Sequence, residues 1–454
     1  MTRQHLFFGA AAALSLAACG SSDGGEPTGA SSAPLTFWQD VAPVLYERCV
    51  DCHREGGIGP FRLDDYASAS QWAAASKDAV VARRMPPWLA TADGSCNSFR
   101  DAAWLSDEEV RVIAAWADSE KREGVPRADL ATPVRPSFGE AYEFSSPDFV
   151  PEALGTSYAE NDEYRCFLVD PGLTAERFLR GYDVVPGNEA LVHHVLVMPV
   201  DPSERTREGR TNGELIAAYD GASPDRAGWP CFSGAGEGVT TKGIPVTWAP
   251  GQGAVDYPAD IGVRVPAGGL FVMQVHYNLS DPALRGQSDR TTVRLRLADR
   301  AAREGVFLDV DPFLNSLEQP TPEQVPPGLA AAPYRWEVPY ERLLASQLDS
   351  APIPYLDVYG LFPHMHERGL SLEASIGRAD GSDECSVRVP RWDFGWQLIY
   401  FYDTPMRFGP GDSLRATCTY DTRGLTSPLL PGWGTQNEMC LTGLLFALPP
   451  GEAP

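Results

Sequence analysis

The sequence predicts a multidomain chain rich in short strands, with helices gathered in a small unit near its start, and three observations carry this. Its 454 residues exceed one ordinary domain, so two or three are expected; a composition 43% hydrophobic and 22% charged excludes disorder as the main state. Glycine (43) and proline (40) together exceed one residue in six, which breaks long helices and favours strands joined by turns. Leu191 to Val200 (LVHHVLVMPV) and Leu270 to Leu279 (LFVMQVHYNL) are dense in β-branched and apolar residues, as strands are. Sixty-one acidic against 37 basic residues give a net charge of −24 with no basic cluster, which argues against a nucleic-acid partner.

Residues 1–18 read as a signal peptide: Arg3 precedes an apolar run from Leu6 to Ala18, too short to span a bilayer. The run ends Leu16-Ala17-Ala18-Cys19-Gly20, which resembles the lipobox of bacterial lipoproteins. That resemblance implies a lipidated Cys19, a flexible tether over 19–34, and membrane attachment in the cell envelope, facing periplasm or surface. By the same resemblance, Gly20 after the cysteine points to the outer membrane. Export permits disulfides among the remaining cysteines.

Cys49-Val50-Asp51-Cys52-His53 is C-x-x-C-H, in which two thiols attach haem covalently and the next histidine ligates its iron. Met85 is the only methionine between the signal segment and Met198, and is expected as the second axial ligand. Two prolines after it, Pro86 and Pro87, would stiffen its loop. Phe37 to Arg48 is expected to be a helix leading into the motif. Leu105-Ser106-Asp107-Glu108-Glu109 opens another through a capping box, with Val110, Ile113, Ala114 and Ala117 on one face. Residues 35–128 resemble a small cytochrome c, which implies an all-α haem domain.

Beyond His5 and His53, the chain holds five histidines in three groups: His193-His194, His276 and His364-Met365-His366. Any one group alone is more often structural than metal-binding; together they point to metal. His364 and His366, two apart on a strand, project from one face and can grip one ion, with Met365 pointing away. Adjacent His193 and His194 would face opposite ways, so joint ligation needs a strand end, a bulge or strong twist. His276 would complete a three-histidine site. Three imidazoles suit zinc or copper alike, but a methionine sulfur beside two imidazoles favours Cu(I); Met439, Met406 and Met273 are the candidates.

HHVLV from His193, QVHYN around His276, HMH at 364–366 and NEMC at 437–440 occur in the order seen in copper type II ascorbate-dependent monooxygenases, and residues 136–449 resemble that family. The resemblance implies two antiparallel, jelly-roll-like β-sandwich domains, here 136–300 and 301–449, facing each other across an open solvent gap with one copper each. His193, His194 and His276 would hold the electron-transferring copper; His364, His366 and Met439 would hold the one that binds O2; Gln274 would lie near the first. Cys418–Cys440 and Cys166–Cys231 would be disulfides. Cys96 and Cys385, in different domains, are left either as a bridge, the preferred pairing, or as two free thiols. Asp311 to Pro354 reads as an interdomain segment with an insertion rather than core strand.

Where the peptide-processing branch of that family carries an arginine, an asparagine and a tyrosine that hold a substrate carboxylate, this sequence has Phe362, Leu441 and Gly443. The expected substrate is therefore a small neutral or apolar molecule. The expected activity is hydroxylation of a C–H bond with O2, using two electrons from an external reductant, ascorbate-like or a cytochrome partner. A haem tethered in the same chain would hand them to the three-histidine copper at raised effective concentration. The competing reading is a non-catalytic haem and copper protein that conducts electrons or holds copper.

Overall fold

The computed structural model describes residues 34–450, apart from 56–58, 131–138, 140, 154, 156–160, 207–208, 232–233, 242, 250–251, 317–320, 322, 348–352 and 433–436. The signal segment and Cys19 lie outside the described residues. Among those described, no helix is long and apolar enough to cross a membrane.

A small helical region comes first. A π-helical turn, Phe37–Val41, runs into the helix Ala42–Arg48, with Pro43 in the first turn where its missing N–H is no loss. The helix Asp107–Ala117 carries the expected capping box: Glu109 N–H donates to Ser106 Oγ (3.2 Å) while Ser106 N–H donates to the Glu109 carboxylate (2.6 Å). Its buried residues are Ile113 and Trp116, with Val110 and Ala117 at the margin. The sequence reading did not single out the helix Tyr66–Val81, whose alanines and serines give little periodicity; Asp65 caps it by accepting from Ser68 N–H (2.8 Å). Phe37, Leu45, Val50, Leu63 and Trp116 close a core of their own.

The rest is mainly β-sheet in two sandwiches, with the helices Asn212–Gly221, Pro312–Asn315 and Tyr340–Gln347 in the connections. A five-stranded sheet (order Trp229–Pro230, Asp162–Val169, Leu270–Asn278, Val192–Val200, Val246–Trp248) faces one half of a nine-stranded sheet. The other half of that sheet faces a four-stranded one (Ala332–Pro339, Ser413–Tyr420, Gly369–Gly377, Asp383–Val389). The named strands pair antiparallel with one exception. Ile261–Val265 and Arg303–Val310 run parallel and join the sandwiches into a single long sheet, at the crossing near residue 300. Gly305 permits that contact, since a Cβ there would run into Ile261.

Two expectations change. Inside 311–354 lies a core strand, Ala332–Pro339, on which Ala332, Tyr334, Trp336 and Val338 alternate inward. Pro333 and Pro339 disguise it in the sequence, and both are tolerated because it is an edge strand. Within 35–128, the segment from Leu89 to Phe99 leaves the helical core: Leu89, Ala90 and Phe99 join the core of the second sandwich, and Trp88 meets Tyr400 edge-on at 5.0 Å. A Cys96–Cys385 disulfide locks this arm in place, so the helical region is clamped rather than loosely tethered.

That bridge links residues 289 apart, and such long closures restrict the unfolded chain most. The double replacement Cys96→Ser, Cys385→Ser is expected to lower unfolding free energy by about 2–5 kcal/mol. Denaturant titration checks this, and an unchanged midpoint would show that packing of the arm alone suffices.

Candidate metal centres

The three-histidine group assembles on the five-stranded sheet. The register of Val192–Val200 against Leu270–Asn278 slips between Val192 and His194, and this bulge at His193 turns both adjacent imidazoles to one side. His194 lies directly opposite His276, and Tyr164 opposite His276 on the other flank. The three Nδ1 atoms form a triangle with sides of 3.3, 3.2 and 3.3 Å. Its centre is about 1.9 Å from each corner, close to the usual metal–imidazole bond of about 2.0 Å. His276 Nε2–H donates to Asp162 Oδ1 (3.0 Å), which leaves Nδ1 as the lone-pair nitrogen. Asn278 Nδ2 donates to the same oxygen (2.9 Å), and the Tyr164 ring stacks on His276 at 3.9 Å.

Burial pushes His193 down to about 4, and burial with mutual repulsion holds His194 and His276 well below the ordinary histidine range. A group with a lowered pKa stays neutral as pH falls through 6.5, so few protons compete with a metal at pH 5. Zn2+ or Cu2+ uptake by this trio is expected to weaken less than about threefold between pH 7 and 5, against about ten-thousandfold for three exposed histidines of pKa near 6.5. Competition titrations with a chelator at the two pH values check this.

The second group sits where the nine-stranded sheet meets the four-stranded one. His364 ends the strand Leu356–His364, and its ring centroid is 5.1 Å from that of His366 at 86°. His364 Nδ1 lies 2.6 Å from Gln397 Oε1 and His366 Nδ1 lies 3.1 Å from the Asn437 carbonyl, which leaves Nε2 as the lone-pair nitrogen in both. Met365 is buried in the sandwich core on the opposite side. Glu438 ties the histidine turn to the methionine loop by accepting from the backbone N–H of His366 (2.9 Å) and of Arg368 (2.7 Å); burial pushes its carboxyl up to about 8. Met439 is held by its own backbone, whose carbonyl accepts from Tyr420 OH (2.8 Å). Cys440 beside it is bonded to Cys418 and accepts from Trp336 Nε1 (2.9 Å). Cys166 and Cys231 are also bonded. Of the three candidate sulfurs, Met439 lines a cavity with His364 and His366, Met406 Sδ lies 3.2 Å from Asn97 Nδ2, and Met273 is in the first sandwich's core.

One cavity of about 320 Å³ serves both groups, with His194 and Tyr164 on one wall and His364, His366 and Met439 on another. The expected open gap between sandwiches is closed instead, because Phe362, Met439 and Leu441 pack into the first sandwich's core and Phe394 bridges the two sites. The Phe394 ring stacks on His193 at 4.3 Å and stands edge-on to His366 at 6.2 Å. Gln274 lines the same cavity and donates to the Gly234 carbonyl (2.7 Å), which fixes the turn behind His194. Asp309 and Asp311 face the cavity as well; burial pushes their carboxyls up to about 7 and about 6.

Sequence reasoning missed Asp162, Phe394 and Gln397, which contact the histidines from segments with no spacing signal. Glu438 belongs to the NEMC motif, but its contacts with the His366 and Arg368 backbone are tertiary and carry no spacing signal. In the helical region, Cys49 and Cys52 belong to none of the three disulfides among the described residues, and burial together with Cys52 pushes the Cys49 thiol up to about 12. The turn is closed by His53 N–H donating to the Cys49 carbonyl (2.9 Å). His53 Nδ1 lies 2.9 Å from the Phe61 carbonyl. Met85 sits after the helix Tyr66–Val81, beside Trp88, Trp104 and Leu105.

Residues 342–450 match the family model of the copper type II ascorbate-dependent monooxygenase C-terminal domain. The chain is similar to tyramine beta-hydroxylase of Caenorhabditis briggsae, 26% identical over 58% of this chain and 41% of that protein. It is also similar to putative DBH-like monooxygenase protein 2 of Homo sapiens (23%; 63% and 54%) and to dopamine beta-hydroxylase of Rattus norvegicus (22%; 69% and 47%). The chain spans about half the length of these relatives. Among solved structures, a chain of cowpea mosaic virus empty particles overlaps 65% of this chain and 91% of its own at 8% identity and a TM-score of 0.27, too low to bear on the fold. Its C-terminal domain is thus matched to that family, and over 58–69% of its length the chain is similar to these hydroxylases and monooxygenases.

Proposed function

We propose that this protein is a copper-dependent monooxygenase that hydroxylates a C–H bond of a small molecule, converting R–H, O2, two electrons and two protons into R–OH and water. The observation that carries this is the convergence of two ligand sets of different chemistry on one cavity. The Nδ1 triangle fits a metal ion, and two imidazoles with a thioether fit copper better than zinc. Copper, when bound, supplies the one-electron redox chemistry that activation of O2 requires.

The chain's own groups do the rest. Asp162 fixes the His276 tautomer, Gln397 that of His364, and Glu438 holds the His366 turn against the Met439 loop. Phe307, Phe362, Leu441 and Leu196 give the cavity an apolar wall that excludes water from the reacting bond. A side chain at Gly443 would meet the Phe307 ring at 2.8 Å, so no carboxylate clamp can be built at that position. With Asp309 and Asp311 as its polar groups on that wall, the cavity suits a small, largely apolar molecule bearing a hydrogen-bond donor and disfavours an anion.

Asp309 gives this a pH signature. Its carboxyl, raised to about 7, is neutral below that pH and charged above it, so kcat/KM for a donor-bearing substrate should rise as pH passes 7. In Asp309→Asn the profile should be flat there, with kcat/KM at pH 8 lowered about tenfold, the order of one hydrogen bond to a charged group. A parental profile in the variant would remove Asp309 from substrate binding.

The C-x-x-C-H turn supports a c-type haem in the helical region. Cys49 and Cys52 carry the two thiols at the required spacing, and His53, whose Nδ1 lies 2.9 Å from the Phe61 carbonyl, would hold the iron through Nε2, with Met85 as the proposed second ligand. The LAACG segment supports a lipid-anchored, cell-envelope location in the outer membrane. Elemental analysis of chain matured outside the cytoplasm tests the whole reading. One iron with two coppers, followed by O2-dependent turnover in a substrate screen with ascorbate, is the expected result. One iron with zinc, or with a single copper, would favour electron transfer or metal holding instead.

A further inference from the structure

The segment 391–397 touches both metal-ligand groups and the helical region at once. On one side, Arg391 Nη2 donates to the Arg83 carbonyl (3.2 Å), two residues before Met85. Trp392 Nε1 then donates to the His366 carbonyl (3.1 Å). The Phe394 ring lies on His193 and against His366. Gln397 closes the segment, donating from Nε2 to the Phe394 carbonyl (2.9 Å) while its Oε1 meets His364 Nδ1. Within seven residues the chain thus links the Met85 loop to His193, His364 and His366.

The arm beside it makes this link rigid. Thr91 N–H donates to the Arg388 carbonyl (2.8 Å), Leu89 N–H to Tyr400 OH (3.3 Å), and Cys96 is bonded to Cys385, so both ends of 391–397 rest on residues that the helical region also holds. A domain that delivered electrons by swinging on a tether would not be fastened in this way. Fixed contact is what the packing provides.

We propose that segment 391–397 is the path by which an electron leaves the C-x-x-C-H unit for the three-histidine site, with Phe394 as its last contact. In this step one Fe(II) becomes Fe(III) and one Cu(II) becomes Cu(I); an external one-electron reductant such as ascorbate restores Fe(II). Phe394 acts as a positioning residue: its ring fills the space between His193 and His366 with packed atoms rather than water, and keeps the two ligand sets in register. The proposal rests on the haem and copper assignments made above.

The test uses the full chain loaded with haem and Cu(II), under anaerobic conditions. A flavin photoreductant pulse delivers less than one electron per chain, and reoxidation of the ferrous haem is followed by absorbance alongside loss of the Cu(II) paramagnetic signal. Phe394→Leu is expected to slow haem reoxidation at least tenfold with iron and copper contents unchanged, Phe394→Tyr to retain the parental rate, and Arg391→Ala to slow it as well. Phe394 and Arg391 are only half-buried, so the variants should fold. An unchanged rate in Phe394→Leu, or a parent whose haem does not reoxidise although both metals are present, overturns this path and leaves the monooxygenase reading standing. A parent that binds no iron or no copper overturns that reading, and the path with it.

Discussion

Replacing Met439 is expected to reduce hydroxylation about a thousandfold, some 4 kcal/mol of lost transition-state stabilisation, while the three-histidine site still binds copper. Met439 would supply the one soft ligand of the proposed second site, is 3% exposed, and sits on a loop fastened independently by Tyr420, Trp336 and the Cys418–Cys440 bridge. Because the loop is held by its backbone, losing the sulfur should not displace His364 or His366. Met439→Ala would also open a core cavity, at a cost of about 2–5 kcal/mol in stability. Met439→Leu conserves volume and costs less than about 1.5 kcal/mol, so it isolates the chemistry from the packing. Copper per chain should fall from two towards one under Cu(I) loading, since two imidazoles alone hold that soft ion poorly. Parental turnover in Met439→Leu would mean that the thioether is no ligand.

The candidate ligand residues were legible because each carries its own signal. Histidine is scarce here, the i, i+2 spacing of His364 and His366 needs only a strand, and the need for a bulge at His193 follows from adjacent ligands on alternating backbone. Strand-rich architecture followed from turn residues and from two apolar runs. What the sequence hid was tertiary. Asp162 lies 114 residues from His276, Gln397 lies 33 from His364, and nothing in local spacing connects them. The strand Ala332–Pro339 shows clean alternation, but its prolines read as interruption unless its edge position is known. Closure of the two sandwiches onto one cavity comes from Phe362, Met439 and Leu441 packing across, and from Phe394, an unremarkable aromatic in a loop. The inward turn of Leu89 to Phe99 is locked by the pairing of Cys96 with Cys385, for which the sequence left two possibilities open.

Asp162→Ala should weaken metal binding at the three-histidine site by about 10–100-fold, the usual effect of removing a carboxylate behind a ligand histidine. The reason lies in what the carboxylate does to one ring. His276 is buried, and its Nε2–H has Asp162 Oδ1 as acceptor; without it a buried donor is stranded at a cost of about 1–3 kcal/mol. The ring relieves that cost by shifting its proton to Nδ1, the atom that must carry the lone pair if the trio is to close on an ion. Asp162→Asn separates charge from geometry. Asn278 already donates to the oxygen shared with His276, so the new amide keeps its oxygen in place, preserves the tautomer and loses only the negative charge. Its affinity should therefore lie between those of the parent and the alanine variant. Neither change touches His364, His366 or Met439, so copper at that group should be retained while the rate of turnover falls with the first site's occupancy. Full turnover by an Asp162→Ala chain stripped of its first metal would show that the two sites do not act as a pair, and that the second group alone suffices for oxygen chemistry.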